Sequence, residues 1–573
     1  FTADAVARLV GNTQSEVSAI LLEGDDYAVL PDGATWESKD KYYSGELWPK
    51  YDAAMAASTN TASPEWLRQR LATQAARLHE KIAPIGLEQV EIQMNSGFIT
   101  PDDLTAWLED RPRHHVGSSH DTPQPAYVTF EDAVYTITPA HATNWLSNDN
   151  KLITAYLNRE GVKKDEIGAV ELLNAEFRLW VLGGPHRDAI ENRYNRTYRG
   201  FAQREYSSEP ISIPGLNPDR SLNGYHYAAL RWAIEMGGGI SAYDVGLGKT
   251  TFGLILSRLS VAMGRAERPA FVVPLSVISN WEAEAKSWFP GCTTMVIGET
   301  RVTKKDGTIS AKSDSAAVIR TKLLQAQQNN VDFVFITEPA WNRLDLNPEK
   351  KAALVDQDFW VQRGNTLGHA GTKRQNKVKE QFKQAAAARD FDAREDTLYF
   401  EDLKFDMLVV DEMHRYKNLY SPRNRWGGAP KYLGGSGQSN RAHDTYLKAA
   451  ELRERTGGLN IFGLTASPSK NSPLEIYSLM SLVSPEAFDR MGIRNSEEFL
   501  DRFCTFEIQP ILNLQGEIEE ATVVSGFKNL DELLPIMERF IYRKTAEDVG
   551  LKIPDAEPVV HITDMTDTQA KVY

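Results

Sequence analysis

From about residue 222 onward, apolar residues arrive in short, nearly unbroken runs separated by stretches with helical spacing. Five runs stand out: Gly239 to Tyr243, Ala270 to Val273, Phe333 to Ile336, Met407 to Val410, and Asn460 to Leu464. None alternates with polar residues. Strands that are apolar on both sides are buried on both faces, so this section reads as an α/β domain, a parallel sheet with helices on each side. Each run gives way at once to small or polar residues. In an open parallel sheet these collect at the carboxyl edge of the strands, where ligands bind.

The first 215 residues read differently, as a mainly helical α+β accessory region. Helices are expected at Ala5 to Val10 and from Pro64 to Leu78, the latter with Pro at its first turn. Val90 to Met94 alternates like a short strand. Thr100-Pro101-Asp102-Asp103 looks like a cap opening a helix over Leu104 to Leu108. Residues 111–125, with His114, His115 and, nearby, His120, read as a polar loop. Residues 206–221, rich in Ser, Pro, Gly and Asn, read as a linker or extended crossing. Arg187, Arg193, Arg196, Arg199 and Arg204 interleave with Tyr194, Tyr198 and Phe201. That pattern suits either a nucleic-acid grip or an amphipathic helix docking this region onto the next, and helical aromatic spacing favours docking.

Composition narrows the classes. With 573 residues, 42% hydrophobic and 25% charged, the chain is an ordinary globular protein of roughly three or four domains. Two cysteines, Cys292 and Cys504, exclude a disulfide framework and a four-thiolate zinc site. No apolar run approaches the ~18 residues of a membrane span. The start, Phe1-Thr2-Ala3-Asp4, lacks an initiator Met and a signal pattern, so a cytoplasmic piece of a longer polypeptide is expected. The net charge of −14 excludes a uniformly basic coat. It is uneven: residues 1–210 sum to −11 and the rest to −3. Residues 361–389 hold seven basic side chains against Glu380 alone. Lys373, Arg374 and Lys377 belong to this cluster, which suits contact with phosphates or a solvated helix pair.

The first run leads into Asp244-Val245-Gly246-Leu247-Gly248-Lys249-Thr250-Thr251. A strand, a Gly-rich turn and a helix N-terminus make an anion nest. Lys249 can reach the outer phosphates of a nucleotide, and the Thr250 hydroxyl can ligate Mg²⁺. The fourth run ends in Asp411-Glu412-Met413-His414. Asp411 can hold Mg²⁺, and Glu412 can orient or deprotonate the attacking water. The fifth ends in Thr465-Ala466-Ser467-Pro468, two hydroxyls placed to couple phosphate state to movement.

Taken in order, these segments resemble the first RecA-like lobe of superfamily 2 helicases, and within them the Swi/Snf-like DNA translocases. Leu222 to Trp232 is similar to the adenine-side motif, which implies nucleotide contacts at Tyr225 and His226 as well as at Gly246, Leu247, Gly248, Lys249, Thr250 and Thr251. Pro274-Leu275-Ser276 with Asn280 and Trp281, and Ile336-Thr337-Glu338, resemble motifs Ia and Ib. By that likeness Ser276, Asn280, Trp281, Thr337 and Glu338 would face DNA. Val410 to Asn418 resembles motif II and Gly463 to Pro468 motif III, implying coupling through His414, Thr465 and Ser467. Arg543-Lys544-Thr545 with Asp548 resembles the segment closing the lobe. The pieces Tyr399 to Leu403, Arg441 to Asp444 and Asn471 to Tyr477 look more narrowly like the very large helicase–methyltransferase proteins of phages and conjugative plasmids, associated with protecting incoming DNA from restriction.

The resemblance implies a RecA-like lobe over residues 216–560 with an insertion at 342–404, after an accessory region 1–215. It implies ATP and Mg²⁺ as cofactors, duplex DNA as partner, and a second lobe whose first residues would be 561–573. The generic phosphate-loop pattern is broken at Tyr243, where Gly is expected, the form Ala-x-x-x-Gly-x-Gly-Lys-Thr being a helicase variant; the chain departs from the family's pattern at His226, where Gln is usual, and at Met413, where Ala is usual. It also contains no Gln-x-x-Gly-Arg-x-x-Arg string, which the second lobe carries to complete the ATP site. Weak or absent turnover without that lobe is therefore expected. Two other readings stay open: a scaffold that only senses nucleotide within a phage particle or modification complex, and the motor of a restriction enzyme.

Overall fold

The computed structural model describes residues 2–11, 13–111, 126–131, 134–139, 147–158, 166–303, 309–358, 398–419, 439–469, 472–493, 495–512, 517–551 and the short pieces 565–566 and 569. Its centre is a seven-stranded parallel sheet. In chain order the strands are β1 Gly238–Tyr243, β2 Pro269–Val273, β3 Thr294–Ile297, β4 Phe333–Thr337, β5 Met407–Val410, β6 Ile461–Thr465 and β7 Ile541–Lys544. Across the sheet the order is β7-β1-β6-β5-β2-β4-β3. All five expected runs are strands. Register places Val410 beside both Val272 and Gly463, and Leu464 beside Ser241.

The unbroken apolar runs feed two cores. Ile240, Ala270, Val272, Val334, Ile336, Leu408, Val410 and Ile461 point into one; Tyr243, Phe271, Val273, Phe333, Phe335, Val409 and Leu464 point into the other. Helices cover both sides, as period-two alternation between two buried faces requires. On one lie α1 (Gly224–Met236), α2 (Lys249–Ala262) and α3 (Ile278–Trp288). On the other lie α4 (Asn440–Thr456) and α5 (Pro473–Val483).

The front section is built as two pieces. Residues 3–82 close a small core of their own around Trp36, Tyr42, Leu71 and Leu78. Residues 87–198 instead share the core of the sheet's α4–α5 side, through Phe98, Phe177, Tyr194 and Tyr198. The expected helices are present at Ala3–Val10, Glu65–Ile82 and Pro101–Asp110, the last with a Thr100–Asp103 capping box. The expected strand at Val90 to Met94 is absent. Its alternation is real, with Val90, Ile92 and Met94 buried. Among the described residues it has no partner strand, however, and side chains answer its polar groups: the Met94 amide donates to Asn174 Oδ1 (2.9 Å), and Arg502 donates to Glu91 O (3.0 Å).

The arginine–tyrosine segment docks, as helical spacing favoured. Arg187 pairs with Glu88, Arg193 with Asp103, Arg196 with Asp52, Arg199 with Asp531 and Arg204 with Glu235. Tyr194 is buried and donates to Glu532 Oε1 at 2.9 Å. Among the described residues no helix is long and apolar enough to cross a membrane. Lys373, Arg374 and Lys377, the loop histidines and most of residues 561–573 lie outside the described residues.

Candidate nucleotide site

The carboxyl edge of β1 opens into the turn that starts α2. Gly246 and Gly248 hold φ of 89° and 82°, a region that side chains with a Cβ disfavour. At Gly248 a Cβ would also lie 2.8 Å from His226 Nε2. The turn therefore needs glycine twice over at that position. Lys249 folds back, its Nζ donating to Tyr243 O (3.1 Å), with Asp244 O at 3.5 Å. Asp244 ties the loop to the closing segment: its amide donates to Lys544 O, and its Oδ2 accepts from the Ala546 amide at 3.0 Å.

Tyr225 and His226 pack beside this loop rather than standing apart from it. Tyr225 Oη donates to Leu247 O (3.2 Å), and His226 Nε2 lies 3.0 Å from the same carbonyl, which assigns the proton to Nε2. Burial lowers the His226 pKa to about 4, so the ring is neutral at physiological pH. Its Nδ1 is buried without a hydrogen-bond partner in the structure.

Asp411 and Glu412 follow β5, one sheet position away from β6. Asp411 is buried and takes two hydrogen bonds on its carboxylate: Trp281 Nε1 to Oδ2 (2.9 Å) and the Glu412 amide to Oδ1 (2.9 Å). Burial nevertheless raises its pKa to about 6. Glu412 has a left-handed backbone, φ 48°, a strained conformation for a side chain of this size. Its carboxylate is held below the usual range, first by the hydrogen bond from His414, whose Nδ1 lies 3.2 Å away. The same Nδ1 is 3.1 Å from Thr465 Oγ1, which accepts from the Ser467 amide at 3.1 Å. A continuous polar chain thus runs from Glu412 through His414 and Thr465 to Ser467.

The donor set suits a Mg²⁺-nucleotide: amide donors of the turn and one lysine for phosphate, and the Thr250 hydroxyl and one carboxylate as hard oxygen ligands for the metal. Among the described residues no cluster of three or more His, Cys, Asp or Glu side chains forms a separate metal site.

Of the residues expected to face DNA, Ser276 and Asn280 are exposed, Asn280 donating to Glu284 Oε1 at 3.0 Å. Trp281 and Thr337 are not. Trp281 is 1% exposed, because Ile278, Trp281, Ala285 and Trp288 form the apolar stripe by which α3 packs on the sheet. That spacing was readable in the sequence and would have turned Trp281 inward. Thr337 is equally buried and caps the short helix Glu338–Trp341 through its hydroxyl. Glu338 is 7% exposed and accepts from Arg415 Nη1 at 2.7 Å. The sequence offered no sign of Glu284, whose Oε2 accepts from Thr251 Oγ1 at 3.4 Å.

A model of the SNF2-related domain matches residues 140–426 and 445–573. The chain belongs to the SNF2-related family. Its match begins well inside the front section, in the part that shares the sheet's core. "Defense against restriction protein B" of Escherichia phage P1 is 29% identical over 436 residues, 70% of this chain and 19% of that protein. A mouse (Mus musculus) "Chromodomain-helicase-DNA-binding protein 1-like" is 22% identical over 382 residues, 64% of this chain and 30% of that protein. The chain thus spans 19% and 30% of the length of these two relatives. A solved Sulfolobus solfataricus SWI2/SNF2 ATPase core in complex with dsDNA is 16% identical, covers 60% of this chain and 48% of its own, and has a TM-score of 0.32. SNF2-related proteins are helicase-like ATPases, and the likeness to phage antirestriction proteins holds in the phage P1 relative.

Proposed function

We propose that this chain is the first lobe, with its accessory region, of an ATP-driven motor that moves along duplex DNA. The observation that carries the reading is the assembly of Lys249, Asp411 and Glu412 at one edge of the SNF2-related sheet, with Glu412 linked through His414 Nδ1 to Thr465. Gly246 to Gly248 would cradle the phosphates through their amides, and Lys249 would exchange its loop carbonyls for phosphate oxygens. Thr250 and Asp411 would hold Mg²⁺, which when bound offsets charge on the outer phosphates. Glu412, kept ionised by His414, would take the proton of the attacking water as the bond to the leaving phosphate breaks. The proton on Glu412 would weaken its pull on His414 and so reach Thr465 and Ser467.

A second RecA-like lobe would complete the site, and an arginine donor from such a lobe is worth about 10³–10⁵ in rate for related phosphoryl transfers. The likeness to the phage P1 protein supports a role in protecting DNA from restriction, carried out in the cytoplasm of an infected cell. Phosphate contacts carry no sequence information, so movement along duplex needs no strand separation.

The test is ATPase activity of the chain joined to its second lobe, with and without duplex DNA, beside Lys249→Ala and Glu412→Gln. Duplex should raise turnover, and each substitution should lower it at least a hundredfold while Glu412→Gln still binds a fluorescent ATP analogue. Nucleotide binding with no turnover in the two-lobed protein would sink the motor and favour a nucleotide-sensing scaffold.

A further inference from the structure

Glu338 occupies the segment expected to meet DNA, yet a carboxylate repels phosphate. Its burial resolves the conflict: what reaches solvent around it are two guanidinium groups. Arg415, just beyond β5, places Nη1 2.7 Å from Glu338 Oε2. Arg441, in the first turn of α4, places Nη1 3.9 Å from the same oxygen. Arg441 is further fixed by donating from Nη2 to Arg415 O (3.1 Å) and by lying 5.6 Å from the centroid of the Tyr416 ring. The Glu338 side chain is 9% exposed, whereas those of Arg415 and Arg441 are 41% and 40% exposed.

We propose that Arg415 and Arg441 are a preformed clamp for the phosphodiester backbone of nucleic acid, with Glu338 as the positioning residue beneath them. The site rests on the duplex-motor reading and deepens it. Three features support it. One buried anion between two half-exposed cations leaves a net positive charge at the surface. Arg441 sits at a helix N-terminus, the end whose dipole disfavours a cation but favours an anionic ligand. Guanidinium groups carry five donors in a planar fork suited to phosphate, and holding them in place beforehand removes the entropy of ordering them on binding. Glu338 and Arg415 follow β4 and β5, the two strands that flank β2 in the sheet.

The experiment is binding of a short fluorescein-labelled duplex to the 573-residue chain by anisotropy across a salt series. Wild type is compared with Arg415→Gln, Arg441→Gln and Arg441→Lys, each checked for intact folding by circular dichroism. Each Gln substitution should reduce the slope of log affinity against log salt by about 0.9, and weaken binding about eightfold at 0.1 M salt. Arg441→Lys should keep the slope. The Arg441 variants carry the test should Arg415→Gln not fold, since the Arg441 contact to Glu338 is the longer one. Unchanged slopes in folded Gln variants would overturn the clamp and leave the motor reading standing. A wild-type chain that binds no duplex even at low salt would overturn both.

Discussion

Asp411 shows what the site costs the fold. A carboxylate shut away from water, with Trp281 and the Glu412 amide as its hydrogen-bond donors, still has its pKa raised to about 6 by burial. A pKa higher in the folded than in the unfolded chain means the folded state binds the proton more tightly. The resulting stability is complete below the ordinary value of 3.8 and is lost as pH rises through about 6. At pH 7.5 the group is therefore a liability of about 3 kcal/mol at most, from a shift of roughly two units. Asp411→Asn keeps an oxygen for Trp281 but loses the acceptor for the Glu412 amide, a loss of about 1 kcal/mol. In metal-free buffer the variant should unfold at higher urea than wild type at pH 7.5, and at no higher urea at pH 4. Paired urea titrations at the two pH values read this directly, and an equal midpoint at pH 7.5 would refute the account. A site that destabilises its own fold is what functional charge placement produces.

Among whole elements, the join between motif II and β6 carries a departure from the resembling family's pattern. Met413 stands where the resembling family has Ala, and its thioether occupies the place a Cβ would take on Gly463. Met413 is 1% exposed, and Gly463 lies beside Val410 and Ile240 in the middle of the sheet. Large residue and missing side chain fit as a pair. Met413→Ala alone should cost about 2–4 kcal/mol through the cavity it leaves. Gly463→Ala alone should cost about 1–3 kcal/mol through overpacking. Together they should cost less than their sum, because the new methyl enters the vacated space, and a double-mutant cycle should give a coupling of about 1 kcal/mol or more. Strict additivity would show that the two positions do not share that space. Such complementarity cannot be read from one sequence, since each residue is unremarked until the strands are placed side by side. The same limit explains β3 and β7. The five central strands were legible because both their faces are buried. Thr294–Ile297 and Ile541–Lys544 lie at the sheet's edges, where Thr294, Tyr542 and Arg543 meet solvent and break the apolar run. The glycine turn before Lys249 and the Asp411-Glu412 pair could be picked out as candidates because the residues of each are neighbours in sequence. Trp281, Glu284 and the Arg415–Arg441 pair make contacts across elements; the family resemblance turned Trp281 towards DNA, and nothing in the sequence marked the others.

For the molecule as a whole, the question is where the SNF2-related lobe begins. Composition shifts near residue 215, but the core does not follow it. Phe98, Tyr194 and Tyr198 pack in one cluster with Met491, Phe499 and Leu533. Between them lies a buried ion pair: Arg502 Nε donates to Glu532 Oε2 at 2.7 Å, while Tyr194 Oη donates to Oε1 at 2.9 Å. The Arg502 guanidinium lies 5.5 Å from the Phe98 ring centroid and 5.4 Å from that of Tyr198. Tyr198 Oη donates to Met491 O at 2.9 Å, and Gly97 meets Gly492 so closely that a Cβ on either would strike the other chain segment. Removing residues 84–215 would uncover this apolar surface and strip the ion pair of its cover and its tyrosine. Residues 3–82, by contrast, close their own core. They meet the rest through a two-residue strand pairing, the Trp48 indole and ion pairs at Glu46 and Asp52 that are half exposed and worth little each. A chain starting at residue 84 should therefore express in soluble form and unfold cooperatively, while one starting at residue 216 should aggregate. Calorimetry and gel filtration of the two truncations decide it: a soluble, cooperatively folded 216–573 lobe would show that residues 84–215 are an appendage, and its failure beside a sound 84–573 would make them part of the core of the SNF2-related lobe.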